Sequence, residues 1–304
     1  MPGGGSAAPG YTRPVRPDLP ANALRGVGGP LTIAFMTSPH WPLAGLRLYT
    51  PRLELRWPTL NDLDELATLA VAGVHDPQVQ PFGAAWTDVP TAELPGRSLQ
   101  YYWAQWAAWR PTDWSLDLMV VHHGTIVGMQ GLKATDFAVV REVHTGSWLG
   151  LRHQGQGIGT EMRAAVLSLA FDDLGAESAR SHVHSDNAAS IGVSRKLGYA
   201  DDGTERFMVR GQAVTALRLR IDRATWQARR PLRVRVSGLE QCLPWFGLAP
   251  DRPTARSPAV SHPDRPPRRL SRGAGARVNP WVDLVVNPDS HPWADAGRGH
   301  RGAR

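Results

Sequence analysis

The chain has 304 residues and a formal net charge of +7, enough for one sizeable core with extensions or for two small domains. From Arg229 onward it holds 14 Arg, no Lys and 6 acidic residues, a net of +8, so the first 228 residues carry −1 and the basic character belongs to the C-terminal stretch. One cysteine, Cys242, excludes a disulfide framework and a thiolate metal cluster, and no apolar run approaches the length of a membrane span.

Residues 1–47 open with MPGGGSAAPGYTRPVRPDLPANALRGVGGP, rich in Gly and Pro and without helix or strand period, and read as a flexible extension. The apolar patch LTIAFM is too short for a signal-peptide core. Met36 begins a more ordinary stretch and is the expected translation start; residues before Met36 in the intact mass of the native protein would exclude it. A folded domain is expected over residues 48–228.

Within it, RLELRW from Arg52 puts Leu53 and Leu55 on one side of a short strand. TLNDLDELATLAVAGV follows as an amphipathic helix, with Leu60, Leu63, Leu66 and Leu69 three apart. In ELPGRSLQYYWAQWAAWRP, Trp103, Trp106 and Trp109 form a stripe at helical spacing, which reads first as core and second as the wall of a substrate pocket. WSLDLMVV and TIVGMQGLK are strand-like runs joined by HHG, a hairpin signal. A third run covers residues 142–151. A glycine-studded turn then opens a helix reaching about Asp173, and SARSHVH from Ser178 reads as a strand. A helix opening at Asn187 and two closing strands, RFMVR and AVTALRLRID, complete a mixed α/β sheet with helices on its faces.

The turn QGQGIGT carries glycines at Gly155, Gly157 and Gly159. A dinucleotide fingerprint would need its third glycine where Thr160 stands, and a P-loop would need a Lys that is absent. A turn without any ligand is the remaining bland reading. Glycines nevertheless let consecutive N–H groups point inward together, and the helix opening at Ile158 adds the positive end of its dipole, so a pyrophosphate is the natural occupant.

Gln154-x-x-Gly157-x-Gly159, after WLGL and at a helix head, resembles the acetyl-coenzyme A signature of the GNAT acetyltransferases. The segment from Asn187 through Ser190, Lys196, Leu197 and Gly198 to Tyr199 resembles that family's second block, N-x-x-S followed by K-L-G-Y/F. Thr50–Arg56, TPRLELR, is similar to the opening strand of the RimJ/RimL-like branch, and the likeness runs from about Thr50 to Trp226. The resemblance implies a central, mostly antiparallel sheet whose parallel strand pair splays after Trp148. It implies that the pantetheine arm lies there against the main chain near Leu149 and Leu151, and that the amides of Gln154, Gly155, Gly157, Ile158, Gly159 and Thr160 hold the pyrophosphate. Asn187, Ser190 and Tyr199 complete the implied coenzyme site, with Tyr199 packing against it.

Family members often carry a proton-donating Tyr seven residues after the motif's Asn. Here that position is Ser194, so Ser194, Ser190 or a water between them takes the role. For the base, Glu142 and His144 share a face of the strand leading into the loop. Asp136 and Asp117 are further contenders. His182 and His184 lack a third ligand at metal spacing and are expected to flank the sheet, His184 toward the coenzyme, so no metal is expected. The implied activity is direct attack of an amine on acetyl-CoA in a ternary complex, in a cytoplasmic monomer or homodimer, without a membrane partner. A catalytically degenerate acyl-CoA-binding module is the alternative. Residues 229–304, with 11 of the 26 prolines, read as a disordered Arg/Pro-rich tail in which nucleic-acid binding is not favoured.

Overall fold

A computed structural model describes residues 38–249. The expected start at Met36 and residues 250–304 of the expected tail lie outside the described residues. Nine strands form one sheet: β1 (Arg47–Tyr49), β2 (Leu53–Arg56), β3 (Asp113–His122), β4 (Thr125–Thr135), β5 (Glu142–Leu149), β6 (Ser178–His184), β7 (Ala200–Val209), β8 (Gln212–Asp222) and β9 (Arg235–Ser237). Their spatial order is β7-β8-β6-β5-β4-β3-β2-β1-β9. Every neighbouring pair is antiparallel except β5–β6, the mixed architecture expected.

The helices are α1 (Leu60–Val71), α2 (Leu94–Ala108), one-turn α3 (Phe137–Val140), α4 (Ile158–Ser168), α5 (Ala188–Leu197) and α6 (Arg223–Arg229). Thr59 starts α1 through a capping box: its hydroxyl accepts from Asp62 N, and Asp62 accepts from Thr59 N. Arg56, at the end of β2, grips the same carboxylate with two N–H groups, at 2.5 and 2.7 Å. Leu63, Leu66 and Leu69 are buried beneath α1, whereas Leu60, its first residue, is exposed. A five-residue π-helical segment, Leu169–Asp173, extends α4.

Two apolar layers cover the sheet. On one face, α4 and α5 bury Ile158, Val166, Leu167 and Leu197 against Leu116, Leu118, Val143 and Ala179. On the other, α1 and α2 bury Leu66, Leu94 and Tyr102 against Met119, Met129 and Trp148. Strand residues alternate between these layers, so sequence parity fixes which layer each side chain enters.

The expected boundary at Arg229 is corrected. β9 pairs antiparallel with β1, and a 3-10 turn, Glu240–Phe246, places Cys242 and Phe246 in the core. Trp109 Nε1 donates to the carbonyl of Trp245 at 2.9 Å. Trp41, Trp57, Trp109 and Trp114 join Trp245 and Phe246 in one run of edge, tilted and, for Trp109 on Trp114, stacked ring contacts. Trp109 of the tryptophan stripe is thus core, Trp106 is half-buried, and Trp103 is exposed. Cys242 is folded in, with burial pushing its thiol up to about 12, so it stays a neutral apolar group.

Candidate active site

The parallel pair is where the sheet opens. β5 and β6 pair only at Glu142↔Ser178, Val143↔Ala179 and His144↔Arg180; from Thr145 onward β5 has no partner on that side. The fork therefore opens after His144, four residues earlier than the expected Trp148. Gly150 N donates to Val127 O at 3.0 Å, and hydrogen-bonded pairs alternate along an antiparallel ladder. That alternation turns the main-chain groups of Ser147 and Leu149 away from β4 and into the fork. Gln154 Nε2 donates to Leu149 O (2.9 Å) and to Val74 O (2.7 Å), stapling the end of β5 to the end of α1. At Leu151 the N–H is taken by Gly73 O and the carbonyl already accepts from Gln154 N.

The glycine turn stands at the mouth of this fork. Gly155 (φ 74°) and Gly157 (φ 78°) are left-handed, a conformation that side chains with a Cβ adopt only with strain. Gly159 is not, and a Cβ there would meet Val193 Cγ2 at an ordinary 3.6 Å. The N–H of Gln154 is consumed by Leu151 O, so it falls out of the cradle. The five N–H groups from Gly155 to Gly159 find no acceptor among the described residues, while Thr160 N already turns back to Gly157 O. Ile158 is fully buried and anchors the helix head from below. The turn is braced from the β1–β2 connection: Arg52 donates to Glu161 Oε2 (2.6 Å) and to Gln156 O (3.2 Å), and Thr50 Oγ1 donates to Glu161 Oε1 (2.6 Å). These bonds hold the Glu161 carboxyl below the usual range, against the opposing effect of its burial.

On the α4/α5 side, Asn187 caps α5, its Oδ1 accepting from Ser190 N at 3.0 Å. Asn187 and Ser190 are thus tied up in shaping the helix start. Ser194 is fully buried; its hydroxyl donates to Ser190 O (3.0 Å) and accepts from Arg163 Nη1 (2.7 Å). Tyr199 is buried with its hydroxyl 3.2 Å from Thr145 Oγ1, the first residue past the last β5–β6 pair. Burial raises the Tyr199 phenol above its ordinary value, with Arg163 opposing.

On the α1/α2 side the register lines up Asp117, Gly131 and Gly146 on three adjacent strands. The two glycines leave a floor of bare backbone, about 10 Å across two strand spacings, from Asp117 to the forked edge of β5. Asp117 is 1 % exposed; Ser115 Oγ donates to its Oδ2 at 3.3 Å, and Oδ1 has no partner. Burial lifts its carboxyl to about 6, with Ser115 and the Lys133 charge pulling the other way. Tyr101 and Tyr102 of α2 stand close enough for the Asp117 charge, added to burial, to raise both phenols. Trp148 points into this layer, its ring 5.5 Å from that of Trp86.

Glu142 and His144 share this face, but not one environment. Glu142 lies at the closed end of the strand pair, ion-paired with Arg180 (2.9 Å) and Arg220 (3.2 Å) and accepting from Ser178 Oγ (2.6 Å). Its carboxylate is a clasp for β5, β6 and β8, which corrects the expectation that it reaches a substrate. His144 stands at the apex of the fork with Nδ1 buried and unpartnered. Burial and the neighbouring His182, whose ring lies 5.9 Å away, lower it to about 4, so it is a neutral imidazole. His182 contacts Glu205 at 3.5 Å. His184 faces the α1/α2 side, beside Phe207, and not the coenzyme side expected. Asp136 lies off the sheet face, in a left-handed turn before α3.

Residues 52–200 match the family model of the acetyltransferase (GNAT) domain. The chain carries a GNAT acetyltransferase domain. Among solved structures, it is similar to Mycobacterium smegmatis RimJ in complex with CoA-disulfide, with 18% identity, 60% of this chain and 88% of that one covered, and a TM-score of 0.52. It is also similar to a GCN5-related N-acetyltransferase from Brucella melitensis, with 18% identity, 60% and 81% covered, and a TM-score of 0.49. At such identities the likeness to RimJ speaks for the fold.

The GNAT domain gathers most of the residues that its motifs single out. Leu149, Gly155, Gly157, Ile158 and Gly159 line the fork mouth, and Ser194 and Tyr199 flank its apex. Sequence reading missed Arg163, Thr145 and the glycine pair Gly131/Gly146. Arg163 had a signal: it is the one basic residue in IGTEMRAAVLS, a helix buried nearly all round. The glycine pair had none, because its meaning lies in strand register.

Proposed function

We propose that the domain transfers the acetyl group of acetyl-CoA to a primary amine by direct attack within the fork. The observation that carries this reading is an unpartnered N–H run beside an unpaired strand edge, with a strip of side-chain-free strand backbone, the trough, running in register from that edge to a buried carboxylate. The cradle fits a pyrophosphate: five N–H donors at the positive end of α4, each charge-assisted bond worth about 1.5–3 kcal/mol. The edge of β5 at Ser147 and Leu149 fits the amides of a pantetheine arm. The same fold in RimJ, solved with a CoA disulfide, supports the occupant.

Across the sheet, the trough receives the amine. Asp117, held at about 6, is ionised at neutral pH yet near the operating range, the property a general base needs. It takes the proton that the amine nitrogen loses, through water lying over Gly131 and Gly146. His144 stays neutral and offers Nδ1 as an acceptor near the reacting nitrogen. The nitrogen forms its bond to the thioester carbonyl carbon, the C–S bond breaks, and its electron pair leaves on sulfur. No cysteine takes part, because the single thiol is buried away from the fork and held neutral. The loop between α1 and α2, tied to the β7–β8 turn by Arg210 on Asp88, selects the acceptor, a protein N-terminus or a small amine.

Isothermal titration with acetyl-CoA, followed by thiol release over a panel of amines and N-terminal peptides, tests the reading. Saturable binding with turnover supports it. Tight binding without turnover on any amine supports the acyl-CoA-binding module instead.

A further inference from the structure

The fork, the loop and the trough leave one charge unused. Arg163 projects from the buried side of α4, 4 % exposed, and ends between the unpaired stretch of β5 and α5. Nη1 donates to Ser194 Oγ at 2.7 Å, Nη2 stands 3.5 Å from Ser147 Oγ, and Nε has no partner. Among the described residues no carboxylate acts on it; the Tyr199 phenol is the one titratable group that does.

A guanidinium does not give up its proton, and burying it against neutral hydroxyls alone is costly. An apolar side chain would fill this core position without that cost. A fixed positive charge in a dry site does lower the free energy of negative charge that develops beside it. In acetyl transfer, that charge appears on the departing sulfur.

We propose that Arg163, acting through Ser194, is the counter-charge for the leaving thiolate. The inference rests on the acetyltransferase reading. As the amine nitrogen bonds to the carbonyl carbon, the C–S pair passes to sulfur and the amine proton to Asp117, so no proton is required at the sulfur. The Ser194 hydroxyl, now donating to Ser190 O, turns to the thiolate while Arg163 keeps its N–H on Ser194 Oγ. A serine backed by a fixed cation thus does by charge what a tyrosine does by proton donation. Ser194 is the group that meets the sulfur, and Arg163 positions and polarises it.

The test is the thiol titration of bound coenzyme A, followed by thiolate absorbance against pH. Wild type is expected to lower the thiol pKa by at least one relative to free coenzyme A, about tenfold more thiolate at a fixed pH. Arg163→Met is expected to return it to the free value, Arg163→Lys to keep part of the shift, and Ser194→Ala to lose most of it. A role confined to packing moves none of these. An unshifted thiol in wild type overturns the proposal on wild-type protein alone, even if Arg163→Met fails to fold. Equal shifts in wild type and Ser194→Ala also overturn it. Failure of wild type to bind coenzyme A at all overturns the acetyltransferase reading with it, whereas binding with a free-like thiol overturns only this inference.

Discussion

At the residue scale, Asp117 of β3 and Arg163 of α4 are buried in opposite layers of the sheet, and each is kept at a cost to folding. Asp117 is displaced from 3.8 to about 6 by burial, so its contribution to stability is full below 3.8 and is lost as pH rises through about 6. That displacement corresponds to roughly 3 kcal/mol. His144 acts in the other direction: lowered from 6.5 to about 4, it contributes fully above 6.5 and loses that contribution as pH falls toward 4. Asp117→Asn is therefore expected to gain stability over wild type between pH 4 and 7, by up to roughly 3 kcal/mol, and then to hold that gain. Urea unfolding at pH 4.5 and 8 reads it, and a gain equal at both ends would contradict the burial argument. The same variant is expected to lose the limb of kcat/KM that rises through about pH 6.

The glycines of the loop separate by the same physics. Gly157→Ala places a Cβ on a left-handed residue, at about 1–2 kcal/mol, and disturbs the N–H run; Gly159→Ala meets only ordinary contacts. Calorimetric affinity for acetyl-CoA should fall at least tenfold for Gly157→Val and stay within twofold for Gly159→Ala. The motif spacing made both glycines legible as a pair. That only one needs its freedom is a matter of φ, which spacing does not carry.

At the scale of elements, the two clasps are the C-terminal strand and turn and the loop between α1 and α2. β9 has three residues, and its partner β1 lies near the start of the described chain, so no local period announces it. The Arg/Pro-rich composition of residues 229–304 masked the short apolar stretch ending in Trp245 and Phe246. Phe246→Ala is expected to cost about 3–5 kcal/mol by emptying the space between Trp109 and Trp114. Chemical denaturation measures it, and a loss below 1 kcal/mol would mean that the segment packs only peripherally. At the other clasp, Arg210 reaches Asp88 and the carbonyl of Pro77 from the β7–β8 turn. Arg210→Ala is expected to leave the melting temperature nearly unchanged and to alter KM for the amine, not for acetyl-CoA. Equal changes in both constants would detach the loop from acceptor selection.

For the molecule as a whole, one parallel pair among eight strand pairings is the feature on which the proposed function rests. It was legible only through the two motif blocks, one after each of its strands, whose resemblance to the GNAT family implies a parallel pair. Where the pair parts was not legible: pairing stops at His144, while Glu142 and its arginines clamp the closed end, a contact among three strands. Glu142 looked like a base because it shares a strand face with His144, and the clamp that occupies it is invisible in spacing. No helix among the described residues is long and apolar enough to cross a membrane. The near-neutral first 228 residues give no long-range field to draw a charged acceptor, so selection falls to contacts around the trough.

In the proposed reaction, acetyl-CoA in the fork acetylates an amine drawn into the trough. Mass-spectrometric detection of the acetylated amine, with thiol release counted in the same reaction, tests it most directly. One acetyl-amine per thiol released is expected, abolished in Gly157→Val and strongly slowed in Asp117→Asn. Acetyl-CoA bound at saturation with no acetylated amine from any peptide or small amine would contradict it.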